Sequence, residues 1–207
     1  MSLDTGVAAF VRANLPQPPA RILEVGAGGG ELARALRDGG YDVTAIDPGS
    51  ESPDVLRVPL HELDAPAASF DGAVAVVSLH HVDPLEESCA RLAEVLRTNA
   101  PLVVDELDVG EMDDRAAEWW LEQRAAHGHD ASEDEGKLRG ALAHLHPLDW
   151  IRDALAPGFE LGEPVRGVYL YRWGLDPSLR PVEEELVARG TLPAVGARFV
   201  ALANQGT

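Results

Sequence analysis

The sequence predicts an α/β fold, a doubly wound sheet with helices on both faces, on three observations. Short apolar runs alternate with stretches of helical periodicity, the mark of strand–helix–strand units. A glycine-rich turn, Gly26 to Gly30 (GAGGG), joins the first run directly to the first helical stretch. The second apolar run ends in an acid, Asp47. Together they describe a strand, a turn that lets backbone approach a ligand, a helix start with free N–H groups, and a carboxylate placed to hold ribose hydroxyls. The unit from Arg21 to Asp47 therefore predicts a nucleoside-bearing cofactor.

Ile22, Leu23 and Val25 form the first strand, apolar enough to be buried on both faces. Leu32, Ala35 and Leu36 fall at i, i+3, i+4 of the following helix, which Gly39 stops, and Tyr41 to Ile46 is the second strand. The dinucleotide fingerprint G-x-G-x-x-G fails at its last place, which Glu31 occupies. Glu24, inside the first strand, is more telling. A carboxylate there favours a cationic or hydroxyl-bearing ligand and repels a pyrophosphate.

Composition narrows the function classes. The chain has 207 residues, enough for one domain with a full core, and 45% of them are apolar. Its 17 basic and 35 acidic residues give a net charge of −18, which opposes binding to a phosphate backbone. No run of apolar residues is long enough for a membrane span, so no membrane partner is expected. The opening MSLDTGVAAFVRANLPQPPA lacks a basic start and a sustained apolar run, so no secretory signal is expected and the expected location is the cytoplasm. The single cysteine, Cys89, has no partner for a disulfide and no metal-site spacing around it; no metal is expected.

The stretch EVGAGGG with Asp47 downstream resembles motif I and the following acid of class I S-adenosylmethionine-dependent methyltransferases. The run DGAVAVVSLHHVDPLEESCARLAEVLRTNAPLVVDELD resembles the small-molecule members related to the ubiquinone and menaquinone biosynthesis enzymes. The resemblance covers residues 20 to 107 well and 147 to 203 loosely. It implies a Rossmann-like mixed sheet of seven strands whose last strand is antiparallel, with S-adenosylmethionine as cofactor. It further implies methyl transfer to an O, N or C nucleophile of a small molecule, by a monomer or homodimer. Glu24 would lie near the methionyl end of the cofactor, the turn Gly26, Ala27, Gly28, Gly30 would pass under it, and Asp47 with Pro48 would hold the ribose. Where family members often carry an acid for the adenine amine, this chain has Pro59, leaving Leu60, His61 or Glu62 for that contact. Ser78 and Leu79 would complete the cofactor site.

The remaining elements follow in order. Residues 4 to 14 read as an amphipathic helix with Val7, Phe10 and Val11 on one side, Phe10 being either a lid or a staple onto the sheet. A third short strand is expected near Val55 to Val58, a fourth at Gly72 to Val77 and a fifth at Pro101 to Val104, with a helix from Pro84 to Arg97 between the last two. His80 and His81 sit at the carboxyl end of the fourth strand, where ligands bind in open α/β sheets, and are candidates for a general base or for packing beneath the cofactor. Asp105 and Glu106 at the tip of the fifth strand are expected to face the same side, with Glu106 a candidate base or orienting group.

Residues 110 to 146 are the least family-like part of a chain read as one domain, 1 to 207, and form the expected substrate cap. One helix is expected from Asp113 to Ala126 and another from Leu138 to Leu145, with a polar, mobile HGHDASEDEG between them. Trp119, Trp120 and His144 are the candidate acceptor contacts. A helix follows Pro147, a sixth strand spans Phe159 to Tyr171 with Tyr169, Tyr171 and Trp173 on one face, a helix begins at Pro181, and a last strand covers Gly196 to Ala203.

Three rivals are weighed. A nicotinamide-dependent oxidoreductase shares the strand, turn and acid but not the third glycine. A methyltransferase-like protein without turnover would bind the cofactor alone. A nucleic-acid or protein methyltransferase is opposed by the charge and by the lack of an N-P-P-Y or D-P-P-Y segment.

Overall fold

The structure, a computed structural model, describes residues 5–204, so Asp4, the first residue of the predicted leading helix, lies outside the described residues. Seven strands form one sheet in the order β2-β1-β3-β4-β7-β5, with β6 also paired to β7. Its parallel half is β1 (Arg21–Val25), β2 (Asp42–Ile46), β3 (Gly72–Val76) and β4 (Pro101–Leu107). The long β7 (Gly196–Ala203) runs antiparallel to β4 and to the short β5 (Phe159–Leu161) and β6 (Val165–Gly167).

Both faces are covered, which is why the central strands are largely apolar, with Glu24, Asp105 and Glu106 as buried acids near the carboxyl ends of β1 and β4. On one face α3 (Leu85–Val95) and α6 (Leu148–Leu155) bury Leu92, Ile151 and Leu155 against Leu23, Ala75, Val104 and Phe199. On the other, α1 (Thr5–Asn14) and α2 (Glu31–Asp38) bury Val11, Leu32 and Leu36 against Ile22, Val74 and Val103. Phe10 is partly buried and packs on this second cluster, with the Arg198 guanidinium over its ring at 5.6 Å.

Three predicted elements come out differently. The third strand is reduced to a single bridge between Ile46 and Leu56; Pro53 and Pro59 bracket the segment and Leu56 stays exposed, so no ladder grows from it. The sixth strand divides into β5 and β6. Gly162 between them approaches the Val200 carbonyl so closely that a Cβ would lie 2.5 Å from that oxygen, and Pro164 interrupts the ladder before β6. Tyr169 and Tyr171 then leave the sheet altogether, because residues 170–172 form a 3-10 turn.

That turn is built on Glu183 of α7 (Arg180–Ala188), whose carboxylate accepts the backbone N–H groups of Tyr169, Leu170 and Tyr171 at 2.8, 2.9 and 2.8 Å.

The segment expected to be a mobile loop is instead largely helical. After α4 (Asp114–Ala126), α5 spans Ala131–His144 and takes up much of HGHDASEDEG. Arg124 grips Asp134 with two hydrogen bonds of 2.9 and 2.8 Å, and the pairs Glu133–Lys137 and Glu135–Arg139 sit at helical i, i+4 spacing. This polar staple supplies what apolar periodicity does not. The insertion packs Ala116, Trp120 and Leu138 on Leu107, Tyr169 and Leu170. Among the described residues, no helix is long and apolar enough to cross a membrane.

Candidate cofactor and acceptor site

The carboxyl ends of β1, β2 and β3 open into a cleft of about 340 Å³ lined by Gly26, Asp47, Pro48, Leu60, Ser78 and His81 among others. These six predicted site residues, spread over much of the sequence, are brought together because three parallel strands end at one edge of the sheet. Asp47 is tied to the glycine turn: its Oδ2 accepts the Gly28 N–H and its Oδ1 the Gly49 N–H, each at 2.8 Å. The Ser50 hydroxyl donates to the Gly28 carbonyl at 2.6 Å, so the turn is held from both sides. Ala27 is buried, its N–H given to Ile46, and Gly30 ends the turn at φ +79° as the residue before α2.

Two glycines have distinct duties. At Gly26, with φ +69°, a Cβ would lie 2.2 Å from the Ser78 Cβ, so only glycine lets the tip of β1 meet the tip of β3. At Gly28, with φ +53°, a Cβ would meet nothing within 4 Å, which leaves open space above the turn.

Several polar groups in and beneath the cleft lack partners. Glu24 is 4% exposed, its Oε2 has no hydrogen bond, and burial above all pushes its carboxyl up to about 8. The hydroxyls of Ser78 and Ser88, both on the cleft wall, are buried and unpartnered. His61 is half-buried beside Leu60, with Nδ1 lacking a partner and Nε2 3.6 Å from Glu62. Buried polar atoms left unpaired cost free energy unless a ligand or water completes them. A ligand in the cleft would meet the Asp47 carboxylate and the Ser78 and Ser88 hydroxyls, which suits a hydroxyl-bearing molecule, while Glu24 lies off that lining and holds its proton at neutral pH.

The two histidines part company. His80 is 2% exposed and its Nδ1 bonds the Glu106 carboxylate, itself fully buried. Glu106 Oε1 also accepts the N–H groups of Ser78 and Leu79, at 2.9 and 2.6 Å. His80 and Glu106 therefore do not fit the expectation of a base at the cleft: burial and mutual bonding make them a brace behind its wall, with Leu79 sealed in the same core. His146 fastens the brace from outside, its N–H donating to the His80 carbonyl at 3.0 Å. His81 is exposed and lines the cleft, and loss of hydration there, then the neighbouring His80 ring 4.3 Å away, lowers its pKa. A neutral imidazole at the cleft is suited to accept a proton.

Asp105 and Glu106 do not face one side. Alternation along β4 sends Glu106 to His80 and Asp105 to the opposite face, where Arg172 and Arg198 hold it. Of the expected acceptor contacts, Trp120 is buried, donating its Nε1–H to the Trp173 carbonyl at 2.8 Å, and is part of the insertion's own core. Trp119 packs partly against that core, and His144 is exposed with Nδ1 2.8 Å from the Gly140 carbonyl. None of the three lines the cleft, because their helices pack onto Tyr169 and Leu170.

Sequence reasoning passed over Val77 and Ser88. Val77 stands at φ +54°, a conformation costly for a β-branched residue, and lines the cleft at the end of β3. No sequence pattern announces such strain. Ser88 reads as one polar residue on a helix, and only the packing of α3 turns it to the cleft. Among the described residues, no three His, Cys, Asp or Glu side chains are grouped to hold a metal ion.

Comparison with known proteins adds three likenesses and a family. Residues 3–145 match the model of a methyltransferase domain. An uncharacterized methyltransferase of Mycobacterium bovis is 35% identical over 98 residues, 42% of this chain and 40% of that protein. A ubiquinone biosynthesis O-methyltransferase of Xanthomonas campestris pv. campestris is 36% identical over 103 residues, 40% of this chain and 42% of that protein. The matches thus span about two fifths of the length of these relatives. The crystal structure of Burkholderia thailandensis 1,6-didemethyltoxoflavin-N1-methyltransferase, with 1,6-didemethyltoxoflavin and S-adenosylhomocysteine bound, superposes with a TM-score of 0.61 at 20% identity, over 97% of this chain and 78% of that one.

Proposed function

The chain belongs to the methyltransferase-domain family, and on that premise we propose that it transfers the methyl group of S-adenosylmethionine to an O, N or C nucleophile of a small molecule. The observation that carries this reading is the Asp47 carboxylate bonded to the Gly28 N–H beside the cleft that Gly26, Ser78 and His81 line. The S-adenosylhomocysteine in the Burkholderia enzyme and the shared fold support the same cofactor here.

When bound, S-adenosylmethionine supplies a methyl group already activated by its sulfonium. The protein's task is to align a nucleophile and exclude water. Asp47 would hold the ribose hydroxyls, and Leu60 and Pro48 would flank the base. Glu24 would meet the cationic methionyl end. The Glu106–His80 brace fixes the Ser78–Leu79 backbone at the rim, and His81 would take the acceptor's proton where the acceptor has one to lose. A charge of −18 supports a small-molecule acceptor over a nucleic acid. A lone, buried Cys89 accords with a reducing compartment, and the cytoplasm is the proposed setting.

Calorimetric titration with S-adenosylmethionine, S-adenosylhomocysteine and a nicotinamide dinucleotide tests the cofactor. Binding of the first two and not the third is expected; the reverse overturns the reading in favour of an oxidoreductase. Transfer of label from methyl-labelled cofactor to metabolites of a cell extract then separates an enzyme from a binding protein without turnover.

A further inference from the structure

A second cavity of about 340 Å³ lies at the same edge of the sheet, beyond the tip of β4, where β6, β7 and α7 meet. Arg166, Arg172, Arg180 and Arg198 all line it. Four of the chain's 17 basic residues thus converge on one hollow of a protein with a net charge of −18.

The distribution of burial decides what that hollow presents. Asp105 holds Arg172 and Arg198, but its side chain is 2% exposed while theirs are 14% and 31% exposed. Arg166 pairs with Asp108, and there the exposures are 34% and 5%. Glu106, also on the lining, is fully buried and bonded to His80. Asp105, Asp108 and Glu106 lie behind and the guanidiniums in front; Glu184, paired with Arg180, and Glu111, 3.6 Å from Arg166, are the partners that meet solvent on comparable terms. Arg166, Arg172 and Arg198 each carry five N–H donors, of which Asp105, Asp108 and Glu111 take only some. Aromatic rings fix their planes, with Arg172 4.9 Å from the Tyr169 centroid and Arg198 5.6 Å from that of Phe10. The Glu183 knot described above sets the turn that delivers Arg172. Rigid guanidinium forks match planar oxyanions, and the remaining wall is apolar, including Val168, Val187 and the Tyr171 ring.

One hydrogen bond links the linings of the two cavities. Ser78 lines the first and Glu106 the second, and the Ser78 N–H donates to Glu106 at 2.9 Å. We propose that the arginine-lined cavity binds the carboxylate of a small organic acid with an apolar body. That this acid is the methyl acceptor rests on the proposed methyl transfer; the anion site itself does not.

The test uses the full chain saturated with S-adenosylhomocysteine, and a panel of hydroxyaryl and aliphatic carboxylic acids set against their primary amides. Calorimetry is expected to find acids that bind at least tenfold more tightly than the matched amides. Arg198→Lys, which keeps a cation beside Asp105 but loses the fork, and Arg166→Gln should each weaken those acids about tenfold and leave S-adenosylhomocysteine affinity unchanged. Acids binding no better than amides, or a preference that survives both substitutions, would overturn the proposal. Acid binding by a chain that does not bind S-adenosylhomocysteine would instead sink the cofactor reading and leave the anion site standing.

Discussion

His80 and Glu106 form a closed pair beneath the cleft, one side chain 3% and the other 0% exposed. Breaking such a pair strands a buried charge, so His80→Ala should cost about 3–5 kcal/mol of stability. His81, one residue on and exposed, should cost less than about 0.5 kcal/mol as alanine. If His81 accepts the acceptor's proton, His81→Ala should lower kcat about a hundredfold with unchanged S-adenosylhomocysteine affinity. Urea unfolding and single-turnover kinetics on the two variants read both effects.

Asp47 is the test of the ribose contact. Asp47→Ala should weaken S-adenosylmethionine at least tenfold, about 1.4 kcal/mol. An unchanged titration would count against the assignment of the cleft.

The glycine turn separates packing from ligand contact. Gly26→Ala drives a Cβ to within 2.2 Å of the Ser78 Cβ and should destabilise the fold as a whole. Gly28→Ala meets no neighbour, so its stability cost should be about 1–3 kcal/mol of backbone strain. Its loss of cofactor affinity should exceed that of any other single alanine in the turn if the proposed cofactor passes through the open space above Gly28. Thermal unfolding with and without S-adenosylhomocysteine distinguishes the two.

Glu24 should make the cofactor-free protein pH-dependent. Its carboxyl rises from an ordinary 4.5 to about 8, chiefly through burial. Below about 4.5 folded and unfolded chains both hold the proton and the contribution is complete. From there to about 8 the unfolded chain releases it first, so stability falls as pH rises, by up to about 1.4 kcal/mol per pH unit. Glu24→Gln should flatten that slope between pH 5.5 and 8.5. A cation bound beside Glu24 should expel the proton, which calorimetry at pH 7 in buffers of differing ionisation enthalpy would detect as proton release.

Much of the fold was legible because it is local. The strand, turn and helix from Arg21 to Asp38 are written in neighbouring residues, and so is the acid that ends the next strand. The third strand was overread because Val55 to Val58 has the composition of a strand but no neighbour to extend its pairing beyond Leu56. The segment between α4 and α5 departs from expectation in the opposite sense: Arg124 and Asp134 stabilise a helix start by a charge pair that apolar periodicity does not register. Trp119, Trp120 and His144 were chosen by type, and their surroundings were set by Tyr169, Leu170 and Trp173, far along the chain.

By itself the sequence determined the doubly wound class, the glycine turn and the acid that follows the second strand, since each depends on backbone preferences and side chains a few residues apart. Only the tertiary structure decided which histidine is buried, which way Asp105 points, and that Arg166, Arg172, Arg180 and Arg198 face one hollow. The physical reason is that burial and charge pairing are properties of space: a carboxylate and a guanidinium find each other through the sheet that folds between them, and no spacing along the chain encodes that meeting.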